Sequence, residues 1–569
     1  MLSKIKKKIL STFSGKKYSF IYPDEVFLDS RNLPDFDKHQ FEGRIERPIL
    51  FRSFVSFYVI CFVAVLFFVY TLWDLGISKG KVYAEISQNN SLRHDPILAP
   101  RGVIYDRNGK ILVSNSIVEE SEDFPRRIYL EKFGFSHLLG FIKYPAKDSS
   151  GFYFREEYEP QDGVEILFNE VLAGRNGLKI SENDVSGNLV SESLIDPSLA
   201  GDSLQLAVDL RIQEKMYQEI KSLSERVGFL GGAGIIMDVN SGEILTLTSY
   251  PEYDSQLMTD GQASSTIRTY STDNAKPFLN RIISGLYTPG SVVKPFLAFG
   301  ALEEGVISPE KEIVSTGKLV VPNPYFPDQP SIFLDWKAHG AVDMRKAIAV
   351  SSNVYFYEVG GGFASQKGLG IEKIEKYFRK FGLSQLTGVG TLDEAVGNIP
   401  NPEWKEKNFP GEPWRLGDTY NTAIGQYGMQ VTPLQIVRAI AAIANGGVLV
   451  TPGFEKKATT SVPIGQRISG KEEHYQIIRE GMRMSVTLGT SKGLDMSSVA
   501  IAGKTGTAQL GTSKSFVNSW TTGFFPYENP RYAYLVVMEH GPSTNLTGAT
   551  FVMRQVMDFM VANTPEYLK

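Results

Sequence analysis

At 569 residues the chain is long enough for two or three domains with a sizeable core, and 42% apolar with 21% charged residues excludes wholesale disorder. The formal net charge of −4 gives no reason to expect nucleic acid as a partner, and the single cysteine, Cys61, excludes an intrachain disulfide. The histidines are scattered, with neither H-E-x-x-H nor paired-cysteine spacing, so no catalytic metal and no cofactor is expected.

Residues 1–52 mix lysine clusters (Lys6-Lys7-Lys8, Lys16-Lys17) with acidic residues and read as a cytoplasmic tail. Ser53 to Trp73 follows, 21 residues without one charge. At ~1.5 Å per residue that run crosses a hydrocarbon core of ~30 Å. A buried core helix rarely needs so long an uncharged run, and a cleaved signal peptide would start closer to Met1. Lys38, Arg44, Arg47 and Arg52 precede the run, while Asp74, Lys79 and Lys81 follow it. The positive-inside rule therefore predicts a single-pass anchor, with the N-terminus inside and everything after Trp73 outside. Tyr70 and Trp73 suit the outer interface.

Residues 74–208 hold short strand-like runs and read as a mostly-β domain. Arg101 to Val113 predicts a hairpin turning at Asn108-Gly109. At Asp209 the period changes: Ile212, Met216, Ile220 and Leu223 predict a helix capped by Asp209. Gly234–Val239 and Ile244–Thr248 predict two strands joined at Asn240-Ser241-Gly242. The stretch from Ser291 to Lys380 is helix-rich. Val499–Ala502, Trp520–Phe525 and Tyr532–Met538 read as strands, and Val552, Val556, Phe559 and Met560 mark a closing helix. This order predicts an α+β domain over 209–569, an antiparallel sheet covered by helices on both faces.

Three short motifs carry the chemistry. Pro289-Gly290 predicts a turn and Phe296 to Leu302 a helix, which puts Ser291 near a helix N-terminus with Lys294 on the same face. A serine hydroxyl becomes a nucleophile when a nearby base takes its proton, and a lysine serves if burial or neighbouring positive charge lowers its pKa. S-x-x-K also begins at Ser3, Ser14, Ser78, Ser308 and Ser315, so the pair alone decides nothing. Ser351-Ser352-Asn353 follows a helical stretch, Met344 to Val350, and Lys504-Thr505-Gly506-Thr507 follows the apolar run ending at Ala502. Ser351 and Asn353 can relay a proton. Lys504 is expected to lower the pKa of Lys294 by repulsion and to bind an anionic substrate end. Gly506 is expected to let a substrate backbone approach the strand edge. Singly, Ser351 reads as a helix cap and Lys504 as a solvated strand residue. In the order S-x-x-K, S-x-N, K-T-G, they form the signature of acyl-serine transferases acting on penicillin or its natural counterpart.

With those motifs the chain resembles a class B (monofunctional) penicillin-binding protein, a D,D-transpeptidase of bacterial cell-wall synthesis, over nearly everything after the membrane span. Further matches are Arg101 to Gly109, Gly163 to Gly177, Asn421 to Gln426, Val431 to Gln435 and Gly503 to Gln509. The resemblance implies the penicillin-binding transpeptidase fold on an N-terminal β-rich pedestal over 74–208. It implies that Ser291 attacks the penultimate D-Ala carbonyl of a stem pentapeptide, with Lys294 accepting the proton. The amides of Ser291 and Thr507 would form the oxyanion hole, and Ser351 and Asn353 would pass the proton and hold the peptide. Lys504, Thr505 and Thr507 would bind the terminal carboxylate. Peptidoglycan stem peptides and β-lactam antibiotics would be the ligands.

Tyr287 to Phe296, with Pro295 after the lysine, and Phe333 to Phe356 lean to the elongation-type penicillin-binding protein 2 group. Members of that group work in the bacterial cytoplasmic membrane with a polytopic SEDS glycosyltransferase. Only 21 residues separate Asn115 from His137-Leu138-Leu139-Gly140, so the pedestal's head is expected to be trimmed, and the start of the chain is long for the family's tail. Asp335, Trp336 and His339 resemble a stretch that helps bind zinc in some relatives. No cysteine accompanies them, so they read as structural and that zinc as absent. Asn353 stands where class D β-lactamases and their sensors have valine, and no glutamate motif for a deacylating water is evident. A β-lactam-hydrolysing or β-lactam-sensing protein, or a non-catalytic anchored scaffold, remains the alternative. A bifunctional class A protein would need more chain between the membrane and residue 209.

Overall fold

A computed structural model of the chain describes residues 51–569 except 85–91, 117–123, 150, 184–188, 262–263, 324–325, 392, 458–461 and 512–513. Of the expected tail, all but Phe51 and Arg52 lies outside the described residues. The uncharged run forms one helix, Phe51–Trp73, starting two residues before the expected Ser53, and a π turn at Asp74–Ser78 continues it. None of its residues is buried, and among the described residues it alone is long and apolar enough to cross a membrane. A helix apolar on every side needs hydrocarbon or protein around it. It falls in a unit ending at Ser91, and Leu92–Lys569 forms a second compact unit.

The second unit opens with small sheets. Leu92–Ile97 and Leu189–Asp196 both pair antiparallel with Gly177–Asn183 between them. A four-stranded sheet joins Leu204–Gln205, Ile104–Tyr105, Ile111–Asn115 and Arg127–Tyr129 in that order. The predicted hairpin is there. Gly109 takes φ +80°, and the Asp106 carboxylate accepts the amides of Asn108 and Lys110, each at 2.8 Å. Beneath it Arg101 and Arg127 share Glu165, both at 2.8 Å, with side chains no more than 1% exposed. The turn also anchors the start of the helix at Leu210: Asn108 Nδ2 donates to Asp209 Oδ2 at 2.9 Å, and the Leu210 amide donates to Asp106 at 3.3 Å.

From Leu210 a five-stranded antiparallel sheet organises the chain. Its strands are β1 (Gly231–Asp238), β2 (Ile244–Tyr250), β3 (Ala502–Leu510), β4 (Phe516–Phe525) and β5 (Tyr532–Pro542), in spatial order β2-β1-β5-β4-β3. Six helices bear on the site: α1 (Leu210–Val227), α2 (Lys294–Glu303), α3 (Met344–Val350), α4 (Asn353–Gly361), α5 (Pro433–Ala444) and α6 (Ala549–Asn563). Alternation along the strands sends Ile236, Tyr534, Val536 and Met538 to a core shared with α1 and α6. Ile235, Met237, Leu535 and Val537 point to the opposite core, with α2 and α5. Both faces are covered, as the α+β reading expects. The closing helix and the helix capped by Asp209, whose carboxylate accepts from the Arg211 amide at 2.9 Å, stand where the periodicity predicts them. The K-T-G segment differs. It lies inside β3, which begins at Ala502 instead of ending there, because nine register pairs with β4 outweigh its weak apolar signal.

Candidate active site

The free edge of β3 is where the motifs converge. Two backbone bonds of 3.0 Å pair Tyr287 with Val431, and the Gly290 amide donates to the Gly425 carbonyl at 3.0 Å. These contacts pin the start of a 3₁₀ turn, Gly290–Val293, that runs directly into α2. Pro295 sits in the first turn of α2, where its missing N–H leaves no bond unmade. Ser291 is left partly exposed on the turn, while Lys294 is fully buried.

The second motif is a bend between two helices. α3 ends at Ser351, held left-handed at φ 58°, ψ 38°, a conformation that costs a non-glycine residue on the order of 1–3 kcal/mol. Ser352 then caps α4: its hydroxyl accepts the Tyr355 amide at 3.3 Å and donates to Asp335 at 2.7 Å. The next two orphan amides, of Asn353 and Val354, donate to the same Asp335 carboxylate at 2.9 and 3.1 Å. The bend is thereby aimed at the lysine. Lys294 Nζ donates to the Ser351 carbonyl and to Asn353 Oδ1, both at 2.8 Å, with Ser351 Oγ at 3.4 Å.

β3 brings the third motif. Lys504 is fully buried and its Nζ donates to Ser351 Oγ at 2.8 Å, so this hydroxyl lies between the two lysines. Thr505 donates to Thr490 Oγ1 at 2.6 Å, and Thr507 is exposed, its carbonyl close against Gly290. Gly506 also has a reason within the fold. A Cβ there would lie 2.9 Å from the Pro289 carbonyl and 2.9 Å from Val292, so its bareness lets β3 close on the Ser291 turn. Gly425 is tighter still, with a Cβ position 2.3 Å from the Gly290 carbonyl and φ +74°.

Burial pushes the Lys294 amine down to about 7, against the Asp335 carboxylate, which raises it. Of the two expected causes, burial and repulsion from Lys504, burial is the one that lowers Lys294; the repulsion appears on Lys504, which burial and then Lys294 push well below the ordinary lysine value. Asp335 has a fully buried side chain, and burial raises its carboxyl. The bonds from Asn353, Ser352 and Val354, and the Lys294 charge, outweigh that and keep it below the usual range.

The structure therefore brings together Ser291, Lys294, Ser351, Asn353, Lys504, Thr505, Gly506 and Thr507. Among the described residues no hydrogen bond joins Lys294 to Ser291; the lysine is held instead by the second motif. Sequence reasoning missed the grip of Gly425 and Val431 on the turn, although both lie in segments that carry the family resemblance. It read Asp335 as structural, without what its carboxylate holds. The zinc-binding resemblance of Asp335 and His339 does not fit a cation. The Asp335 oxygens accept five bonds, from Ser315, Trp336, Ser352, Asn353 and Val354. Among the described residues no group of three His, Cys, Asp or Glu side chains could hold a metal ion.

Comparison with known proteins agrees with this arrangement. Peptidoglycan D,D-transpeptidase MrdA of Haemophilus influenzae is 29% identical over 506 residues, covering 82% of this chain and 74% of the relative. The solved complex between penicillin-binding protein PBP2 and MreC from Helicobacter pylori is 26% identical, with a TM-score of 0.68, covering 83% of this chain and 99% of that one. Pseudomonas aeruginosa PBP2 in complex with WCK 5153 is 27% identical, also at 0.68, covering 84% of this chain and 98% of that one. The penicillin binding protein transpeptidase domain matches residues 232–558, more than half of the sequence, and the chain belongs to that family.

Proposed function

We propose that Ser291 is the nucleophile and Lys294 the base of a peptidoglycan D,D-transpeptidase of the elongation type. The observation that carries the assignment is a buried lysine near pKa 7, three residues after a partly exposed serine and wired to Ser351 and Asn353.

Neutral Lys294 takes the Ser291 proton as Oγ attacks the penultimate D-Ala carbonyl of a stem pentapeptide. The amides of Ser291 and Thr507 hold the oxyanion. Lys294 then passes that proton through Ser351 Oγ, 3.4 Å from its Nζ, to the leaving nitrogen. The C–N bond breaks, D-Ala departs as the neutral amine, and the peptide stays as an ester on Ser291. An acceptor amine from a neighbouring strand then attacks the ester. Its proton returns through Ser351 and Lys294 to Ser291 Oγ as the cross-link forms. Donor backbone along the open edge of β3 would add a strand to the sheet, with Asn353 holding its amide. Lys504, Thr505 and Thr507 would receive the terminal carboxylate. Penicillin carries the same carbonyl in a strained ring whose leaving nitrogen stays tethered, so Ser291 is trapped as a lasting acyl-enzyme.

The apolar helix anchors this domain in the bacterial cytoplasmic membrane, and the charge bias around it supports an outward-facing active site. The partners we propose are a polytopic SEDS glycosyltransferase and, by likeness to the Helicobacter pylori complex, an MreC-like protein.

Labelled penicillin tests the assignment. The detergent-extracted protein should carry a long-lived covalent label that Ser291→Ala abolishes. Rapid hydrolysis of the antibiotic would point to a β-lactamase, and an unlabelled wild type to a scaffold.

A further inference from the structure

Helix α4 carries Asn353 at its first position, and its exposed N-terminal amides need acceptors. Ser352 supplies one, and Asp335 takes the amides of Asn353 and Val354 together with the Ser352 hydroxyl. Asp335 is itself steadied by the Ser315 hydroxyl at 3.0 Å and the Trp336 amide at 2.9 Å. These bonds from the bend therefore converge on one carboxylate, and the bend is the same one that presents the Ser351 carbonyl and Asn353 Oδ1 to Lys294. An interior this crowded does not leave such an anion as a bystander: removing it strands two amides and a hydroxyl and relaxes a left-handed serine.

We propose that Asp335 is a positioning residue for acylation: its carboxylate fastens the Ser351-Ser352-Asn353 bend so that both oxygens meet Lys294, and supplies the negative charge facing that lysine. The inference rests on Ser291 and Lys294 being nucleophile and base. The surroundings of Lys294 bear out the charge role. α4 offers it the Phe356 ring, 5.5 Å away, β3 offers the Lys504 amine, which burial and Lys294 push well below the ordinary lysine value, and among the described residues Asp335 is the anion that acts on it. His339 Nε2 lies 3.6 Å from Asp335 Oδ1, and burial holds its imidazole below the ordinary value, so it adds no fixed charge at neutral pH. With Asp335 neutralised, the lysine would lose its proton at lower pH.

The experiment measures the rate of acylation by labelled penicillin against pH, on the full chain in detergent. The variants are Asp335→Asn, Asp335→Glu and Ser352→Ala. Asp335→Asn should lower the plateau about ten-fold to a hundred-fold and move the acid limb about one unit lower. Asp335→Glu should keep the limb in place, and Ser352→Ala should lower the plateau without moving it. An unchanged rate in Asp335→Asn overturns the proposal. So does a uniform loss with the limb unmoved, which would make Asp335 a structural prop only, or an equal limb shift in Asp335→Glu. Should Asp335→Asn fail to fold, wild-type acylation by Ser352→Ala overturns it. A wild type that takes no label at Ser291 refutes the nucleophile assignment instead.

Discussion

As the base we propose, Lys294 must be neutral to act, and that requirement fixes a pH dependence. Its folded pKa lies down near 7, so below that value the amine holds its proton and cannot accept one from Ser291. Acylation by penicillin should rise with pH through about 7 and then level off; a rate flat across that range would leave Lys294 without its role. Lys294→Ala should cost about 10² to 10⁴-fold in acylation, the worth of a general base, measured by the same label. The serine, lysine and asparagine were legible because their spacing is chemical. The cause of the lowered pKa was not, because burial is a property of the packed α2 and not of any local pattern. Asp335 was readable as structural, but not what it holds: nothing in its neighbours announces that the first amides of α4 donate to it.

Elements position what residues perform, and glycines decide how closely those elements approach. Gly425→Ala would put a methyl 2.3 Å from the Gly290 carbonyl at a left-handed position, and Gly506→Ala one 2.9 Å from Pro289. The first should push the turn off the segment at Gly425 and the second should push it off β3; each should cost about 1–3 kcal/mol and slow acylation. Thermal melting beside labelling checks this, and wild-type labelling by Gly425→Ala would refute it. The helices and the β1–β2 hairpin were readable from period and caps. β3 was misjudged by its boundary, since a segment of lysine, threonine and glycine carries little strand propensity and owes its conformation to the pairing of Ala502–Leu510 with β4.

At the scale of the molecule, the apolar helix falls in one unit, and the small sheets and the five-stranded sheet fall together in the other. The apolar helix is readable from composition alone, and the two-faced sheet from the order of helices and strands. The buried ion triad among the small sheets is not, because Arg101, Arg127 and Glu165 meet only in three dimensions. Glu165→Ala would leave two buried guanidinium groups without their anion, a loss of about 3–5 kcal/mol. A lowered denaturant midpoint of the full chain is the expected result, and an unchanged midpoint would contradict it.

The central claim is an ester on Ser291, and mass spectrometry of the protein after incubation with penicillin tests it most directly. The account predicts one added acyl group per chain, located by proteolysis to the peptide containing Ser291 and absent from Ser291→Ala. An acyl group on any other residue, or none, would contradict it.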